Sequence, residues 1–259
     1  MTYVTLSLFL LTAAAGFAAG FLDAIVGGGG LILTPAMLNL HPGLSILQII
    51  ATQRTSSIFG TSVAAYNYLR HLKVKRSWLI SASVGAALAS AVGVQFAKTL
   101  DPELLKLLVM AVCVVLAVYT VFKREFGTEE KLKHPPQKLA WIAGLVGVIT
   151  GFYNGLIGPG TGTLMVFGFV AGLGVNFLTS SAISKVANVA ADLSSWTALY
   201  LGGFVVFSIA VPLIIGNVLG SFLGSRLAIL KGSAFVRWVF LLVVLALIAR
   251  YGWLAVAND

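Results

Sequence analysis

The sequence predicts an all-α polytopic membrane protein with two homologous repeats. Of its 259 residues, 59% are hydrophobic and only 10% are charged, and the mean hydropathy of +0.99 lies outside the range of soluble domains. The apolar residues come in runs of about 20, the length of a helix that crosses a bilayer. These runs lack period-2 alternation, which excludes a β-barrel.

The second observation is an internal duplication at an offset of 131 residues. A stretch similar to the glycine-rich residues 20–30 recurs at 151–160, and Gly27 aligns with Gly158. The correspondence continues without a gap well beyond these stretches. We therefore predict a first transmembrane repeat over residues 1–122 and a second over 139–259, joined by the hydrophilic linker 123–138.

Each predicted repeat contains five apolar segments, of which the second is short and follows a glycine cluster that interrupts the helix. This short segment is predicted either to cross, by itself or as half of a broken helix, or not to cross, so the chain has eight to ten transmembrane segments. The segments are 3–22, 31–40, 44–69, 78–97 and 104–122 in the first repeat, and 139–157, 161–175, 177–201, 204–229 and 235–254 in the second.

The basic loops predict how the repeats are oriented. Twelve of the 17 Lys and Arg residues lie in the stretches 70–76, 123–138 and 226–237. Five segments per repeat, with the N-terminus outside, place these 12 cations on one side against 3 on the other, whereas four segments give 10 against 5. The positive-inside rule favours the first arrangement, which has inverted repeats. We expect a bacterial-type inner-membrane protein with cytoplasmic basic loops and both termini outside.

Other features of the sequence exclude simpler classes. The net charge of +9 would suit a nucleic-acid partner, but the cations lie in short loops between apolar segments, so no nucleic acid is expected. The one cysteine, Cys113, lies inside an apolar run and cannot form an internal disulfide. No basic residue precedes Arg54, so the first segment is interpreted as a retained transmembrane helix.

Three stretches carry the motifs of a known family: 20–32 with the following Pro35 and 51–54, then 151–160, and the Gly-x-x-x-Gly-Ser-x-x-Gly-Ser-Arg run at 216–226. They resemble the TauE/SafE family of sulfite exporters over nearly the whole chain. The resemblance implies transport of a small sulfur-containing anion such as sulfite, sulfoacetate or another organosulfonate. The motifs are specific for the family and not for one substrate.

Two cations inside apolar segments are candidate substrate ligands. Arg54 and Lys185 occupy corresponding positions in the third segment of each repeat. A charge at the bilayer centre costs about 2.5–3.5 kcal/mol on insertion scales, so it normally faces a cavity, a partner or a substrate. We expect both cations to converge on one anion. The alternative is structural neutralisation of Arg54 by Asp23 and of Lys185 by Asp192.

The glycine clusters are candidate oxyanion sites. The first N–H groups of the short helices that follow them are unpaired and carry the positive end of the helix dipole, and glycine lets a ligand approach the backbone. The alternative is that the glycines only permit close helix contact. The predicted ligands from these clusters and from nearby polar side chains are Gly28, Gly29, Gly30, Thr34, Gln53, Asn154, Gly160, Thr161, Gly162 and Asn188.

Asp23 and Asp192 are the only acidic residues inside the apolar segments. Either is a candidate carrier of a coupled proton, because burial disfavours an ionised carboxylate. A structural ion pair is the alternative interpretation.

These observations favour a secondary transporter for a small anion that works by alternating access. A passive anion channel is the main alternative, because channels also contain broken helices. A membrane enzyme is disfavoured: His41, His71 and His134 lie in loops, no residue set has metal-ligand spacing, and neither a metal nor a cofactor is expected. The small-residue stripe at 216–224 predicts helix contact within the protein, with a homodimer contact as the alternative.

Overall fold

The computed structural model describes residues 6–96, 127 and 129–257. The described part of the chain forms eight α-helices and no strand. The predicted segment 104–122, with Cys113, lies outside it. The helices are α1 (Leu6–Val26), α2 (Gly29–Leu40), α3 (Ile46–His71), α4 (Arg76–Phe96), α5 (Pro136–Leu156), α6 (Thr161–Leu173), α7 (Phe177–Leu201) and α8 (Phe207–Ala257).

Four of these helices contain stretches long and apolar enough to cross a membrane: Leu6–Val26, Arg76–Phe96, Lys138–Leu156 and Phe207–Leu242. They confirm the predicted all-helical polytopic class. On the outer faces of α1, α4, α5 and α8, large apolar side chains such as Leu10, Leu88, Trp141 and Leu219 are exposed. An apolar surface of this extent requires lipid around it.

Helices α3 and α7 are long, at 26 and 25 residues, but they are less apolar than the four spans. Their polar side chains are buried, among them Thr52 and Arg54 in α3 and Lys185 and Asp192 in α7. Helices α2 and α6 are apolar but have only 12 and 13 residues, too few to cross a bilayer core alone. Helices α3 and α7 therefore contribute most of the buried polar side chains among the described residues, and the short helices begin inside the protein.

Helix α8 contains a break at Gly232, where φ is 75° and ψ is −173°. The sequence predicts two helices here, 204–229 and 235–254, and the break falls between them. Gly232 has no neighbouring atoms within 4 Å of a built Cβ, so its positive φ rather than crowding accounts for the glycine.

Glycine stripes bring α1 against α8. A Cβ at Gly216 would lie 1.9 Å from the carbonyl oxygen of Ala13, and one at Gly224 would lie 2.3 Å from that of Phe21. Residue numbers rise together along the two helices, so α1 and α8 run parallel. The small-residue stripe at 216–224 therefore packs within the chain, as predicted.

The same kind of contact joins α4 and α5. A Cβ at Gly147 would lie 2.3 Å from the Ala82 carbonyl oxygen, and one at Gly155 would lie 2.1 Å from the Ser90 carbonyl oxygen. Helices α4 and α5 therefore also run parallel and in backbone contact. The two parallel pairs flank α3 and α7.

Helix α3 runs parallel to α8. The Val206 N–H, just before α8, donates to Thr52 Oγ1 at 3.1 Å, and further along both helices Asn67 Nδ2 donates to Ser225 Oγ at 2.9 Å. Because α1 is parallel to α8 as well, α1, α3 and the first part of α8 share one direction.

Helix α7 runs opposite to α3. The Ser57 hydroxyl donates to Asp192 Oδ2 at 2.8 Å, and Trp196 Nε1 donates to Thr55 Oγ1 at 2.8 Å. Residue numbers thus fall along α3 as they rise along α7. These two helices correspond at the 131-residue offset, and they cross the protein in opposite directions.

We expect Gly147→Ala to lower the free energy of unfolding by about 1–3 kcal/mol, because the new methyl group would overlap the α4 backbone. Gly144→Ala on the same helix is the control, since its Cβ would lie 3.6 Å from the nearest atom and Ala is the better helix former. Thermal unfolding of the purified protein in detergent should show a lower Tm for Gly147→Ala alone. Equal melting of the two variants would contradict the close α4–α5 contact.

Candidate functional site

The two glycine-rich motifs meet in the centre of the fold. A Cβ at Gly27, which has φ +83°, would lie 2.1 Å from the Gly162 carbonyl carbon. A Cβ at Gly30 would lie 3.2 Å from the Cα of Pro159. Only residues without side chains allow this approach of the α1–α2 connection to the start of α6.

A cavity of about 60 Å³ lies beside this contact, with space for a few water molecules or one small anion. Both motifs and both polar helices contribute to its wall. The lining residues are Ala19, Asp23, Gly27, Gly29, Gly30, Leu33, Ile50, Gln53, Arg54, Ser57, Asn154, Gly158, Pro159, Gly160, Thr161, Gly162, Asn188, Asp192 and Asn217.

The short helices α2 and α6 both begin at this cavity. Their N-cap residues are Gly28 and Gly160, and neither helix start receives a side-chain cap. Gly29 at the start of α2 and Thr161 at the start of α6 line the cavity. The wall therefore includes two uncapped helix N-termini, whose N–H groups and dipoles favour an anion.

Arg54 brings a buried positive charge to the same wall. Its side chain is 6% exposed, and its Nη2 donates to the main-chain oxygen of Asn154 at 2.5 Å. Its Nη1 has no hydrogen-bond partner among the described residues. Gly158, with φ +87°, leaves room for the guanidinium, because a Cβ there would lie 3.0 Å from Nη2.

Lys185 is paired with a carboxylate. Its Nζ lies 2.9 Å from Asp23 Oδ2, and it also donates to the main-chain oxygen of Asp23. The Lys185 side chain is fully buried and does not line the cavity, whereas Asp23 does. The observed ion pair is Lys185 with Asp23 and not Lys185 with Asp192, the pairing that the structural alternative anticipated.

Asp192 lies within a cluster of donors. Asn154 Nδ2 donates to Oδ1 at 2.9 Å, while the Ser57 hydroxyl and Asn188 Nδ2 donate to Oδ2 at 2.8 and 3.1 Å. Hydrogen bonds donated to both oxygens are the environment of an ionised carboxylate. Asp192 is buried, and both of its oxygens accept hydrogen bonds from side chains of the cavity wall.

The two cations occupy equivalent positions. Lys185 donates to the main-chain oxygen of Asp23, and Arg54 donates to that of Asn154, which corresponds to Asp23 at the 131-residue offset. Both oxygens lie in the last turn of a helix, where the dipole favours a cation.

The carboxylate near each cation, in contrast, comes from a different helix around Lys185 than around Arg54. At one centre the Thr61 hydroxyl donates to Asp23 Oδ2 at 3.3 Å, and at the other Asn154 Nδ2 donates to Asp192 Oδ1 at 2.9 Å. Thr61 corresponds to Asp192 at the same offset. The carboxylate therefore lies on the first helix of one repeat and on the third segment of the other. As a result, one cation bonds to a carboxylate and the other to a neutral amide residue.

Most of the sequence-predicted residues come together at this cavity, but Lys185, Gly28 and Thr34 do not line it. The Thr34 hydroxyl lies 2.8 Å from the Gly30 carbonyl oxygen and 3.0 Å from Gln53 Oε1, so its single hydrogen serves one of them at a time. Gln53 Nε2 has no partner in the described part of the chain.

Sequence reasoning missed two polar residues of the wall, Ser57 and Asn217. Ser57 corresponds to Asn188 at the 131-residue offset, so the repeat itself held the signal. Asn217 corresponds to Ala86, which gives no such signal.

A multi-pass helical protein with a buried polar cavity between broken helices has the build of a membrane transport protein. The family model of the sulfite exporter TauE/SafE family matches residues 12–251. The chain belongs to this family of membrane transport proteins, which confirms the resemblance drawn from its motifs.

Curated relatives carry names of the same kind. A "Probable membrane transporter protein" of Haemophilus influenzae is 30% identical over 226 residues, which is 86% of each chain. YfcA of Escherichia coli K12, with the same description, is 27% identical over 90% of this chain and 85% of its own. YdhB of Bacillus subtilis is 22% identical over 86% of this chain and 88% of its own. No solved structure matches the chain.

We expect the Lys185–Asp23 pair to act as one structural unit. Either Lys185→Met or Asp23→Asn leaves a buried group without its partner, which costs about 3–5 kcal/mol of stability. The double variant removes both charges and should recover a large part of that loss. Tm values of the four proteins form a double-mutant cycle. Purely additive losses would contradict the pairing.

Proposed function

We propose that this protein is a secondary transporter of a small anion, most simply a sulfur-containing oxyanion or an organosulfonate, that binds in the central cavity. The observation that carries the proposal is the buried guanidinium of Arg54, whose Nη1 points to no described partner while two uncapped helix starts share its cavity. The family of the chain supports the sulfur chemistry of the substrate.

The hydrogen-bond donors around the cavity, rather than its net charge, support an anionic ligand, because the two cations Arg54 and Lys185 are matched in number by Asp23 and Asp192. Lys185 is compensated by direct contact with Asp23, and Asp192 is held by amide and hydroxyl donors. A buried charged donor left without a partner loses more than the roughly 1–3 kcal/mol of a neutral group. An anion at Arg54 Nη1 would recover this loss and would also accept from the starts of α2 and α6.

The helix directions support alternating access by two inverted repeats. The third segments of the repeats, α3 and α7, run in opposite directions and cross at the cavity. Broken helices that meet near the midplane between inverted repeats are a recurring plan of secondary transporters. We propose that the repeats rock about the contact between the glycine motifs, in an inner membrane with the basic loops on the cytoplasmic side.

We expect Arg54→Gln to reduce anion uptake by about 30-fold or more, because loss of a buried charged donor costs about 2 kcal/mol or more. Arg70→Gln is the matched control, since Arg70 lies on the same helix but is exposed. The assay is uptake by proteoliposomes of labelled sulfite, sulfate, thiosulfate, sulfoacetate, taurine and acetate.

Counterflow in the same proteoliposomes distinguishes a carrier from a channel, because a carrier exchanges internal for external anion. Saturable, counterflow-competent uptake of a sulfur oxyanion that needs Arg54 would support the proposal. Equal uptake by wild type and Arg54→Gln would contradict the role of Arg54, and conduction without exchange would contradict the carrier.

We expect cysteine labelling to place Gly43 outside and Lys73 and Lys133 inside, in a Cys113→Ser background. Lys133 lies beside the end of α6, since its N–H donates to the Leu173 carbonyl oxygen at 3.2 Å, and α7 begins four residues after Leu173. In an inverted arrangement, Lys133→Cys reacts with an impermeant maleimide from the same side as Lys73→Cys. Reaction from the side of Gly43→Cys would contradict it.

A further inference from the structure

A buried acceptor in the cavity wall has no donor. Asn188 is 6% exposed and lines the cavity, and its Oδ1 has no hydrogen-bond partner within the described residues. Burying a carbonyl oxygen of this kind without a donor costs about 1–3 kcal/mol. In the structure neither Arg54 nor the start of α2 or α6 donates to this oxygen.

The orientation of the Asn188 amide follows from its neighbour. Its Nδ2 donates to Asp192 Oδ2 at 3.1 Å, and the other groups on Asp192 are the hydroxyl of Ser57 and the amide nitrogen of Asn154. Reversing the amide would place two acceptor oxygens against each other. The amide nitrogen is therefore committed to Asp192, and Oδ1 is the atom left over.

The other half of the protein does not repeat this acceptor. Ser57 corresponds to Asn188, and its hydroxyl donates to Asp192. Asn217, another amide of the cavity wall, has its Oδ1 3.2 Å from the Ser221 hydroxyl, whose single hydrogen it shares with the Gly20 carbonyl oxygen. The unpaired acceptor Asn188 Oδ1 thus has no counterpart at the corresponding position in the first repeat, which is occupied by Ser57.

We propose that the cavity selects anions that carry a hydrogen-bond donor next to the charged group, and that Asn188 Oδ1 accepts from this donor. The inference rests on the proposed function and narrows its substrate class. The charged oxygens of such a ligand accept from Arg54 and the helix starts, while its O–H or N–H group satisfies Asn188. Protonated oxyanions, and sulfonates with an adjacent amino or hydroxyl group, meet this description.

Sulfamate and methanesulfonate are suitable probes, because both are monovalent and tetrahedral and differ in an NH2 group against a CH3 group. We expect the purified protein to bind sulfamate at least about tenfold more tightly than methanesulfonate in calorimetric titrations. Asn188→Ala should bring this ratio close to one. Asn39→Ala, which removes an exposed amide of α2 that does not line the cavity, is the control and should keep the preference for sulfamate.

Equal binding of the two probes by wild type would overturn the inference and leave the proposed anion site standing, since ordered water would then satisfy Asn188. A preference that survives in Asn188→Ala would also overturn it. Failure of both probes to bind would overturn the inference as well. The proposed function would fail with it only if the proteoliposome panel also showed no flux dependent on Arg54.

Discussion

The backbone contact between Gly27 and Gly162 is the constraint on which the site depends. It brings the start of α2 and the start of α6 to one cavity, and any side chain at either glycine would separate them. Two uncapped helix N-termini then face the same small volume. Lipid cannot satisfy such groups, so they need a partner inside the cavity, either water or a ligand.

The second constraint is that two cations at equivalent positions have different partners. Lys185 and Arg54 occupy corresponding positions and use corresponding main-chain oxygens, yet Lys185 meets the carboxylate of Asp23 and Arg54 meets neutral Asn154. The carboxylate of the second centre, Asp192, is surrounded by donors instead. One half of a duplicated arrangement thus forms an ion pair, and in the other half Arg54 Nη1 has no partner among the described residues, which is the donor that we propose for a ligand.

Much of this arrangement could be predicted from the sequence. The hydropathy and the motifs gave the class, the family and most of the cavity wall, because a charge such as Arg54 inside an apolar segment has few explanations. Pairwise contacts could not be predicted: the partner of Lys185 depends on how α1 and α7 lie against each other. That Asn188 Oδ1 is an acceptor without a donor can be recognised only when the hydrogen bonds of its neighbours are known.

The most direct measurement is a crystal structure with selenite, an oxyanion that can be located by its anomalous scattering. The proposed site predicts a selenium peak in the cavity, with an oxygen within hydrogen-bonding distance of Arg54 Nη1 and of the starts of α2 and α6. An Arg54 side chain bonded to Asp192, with the anion bound elsewhere, would contradict it.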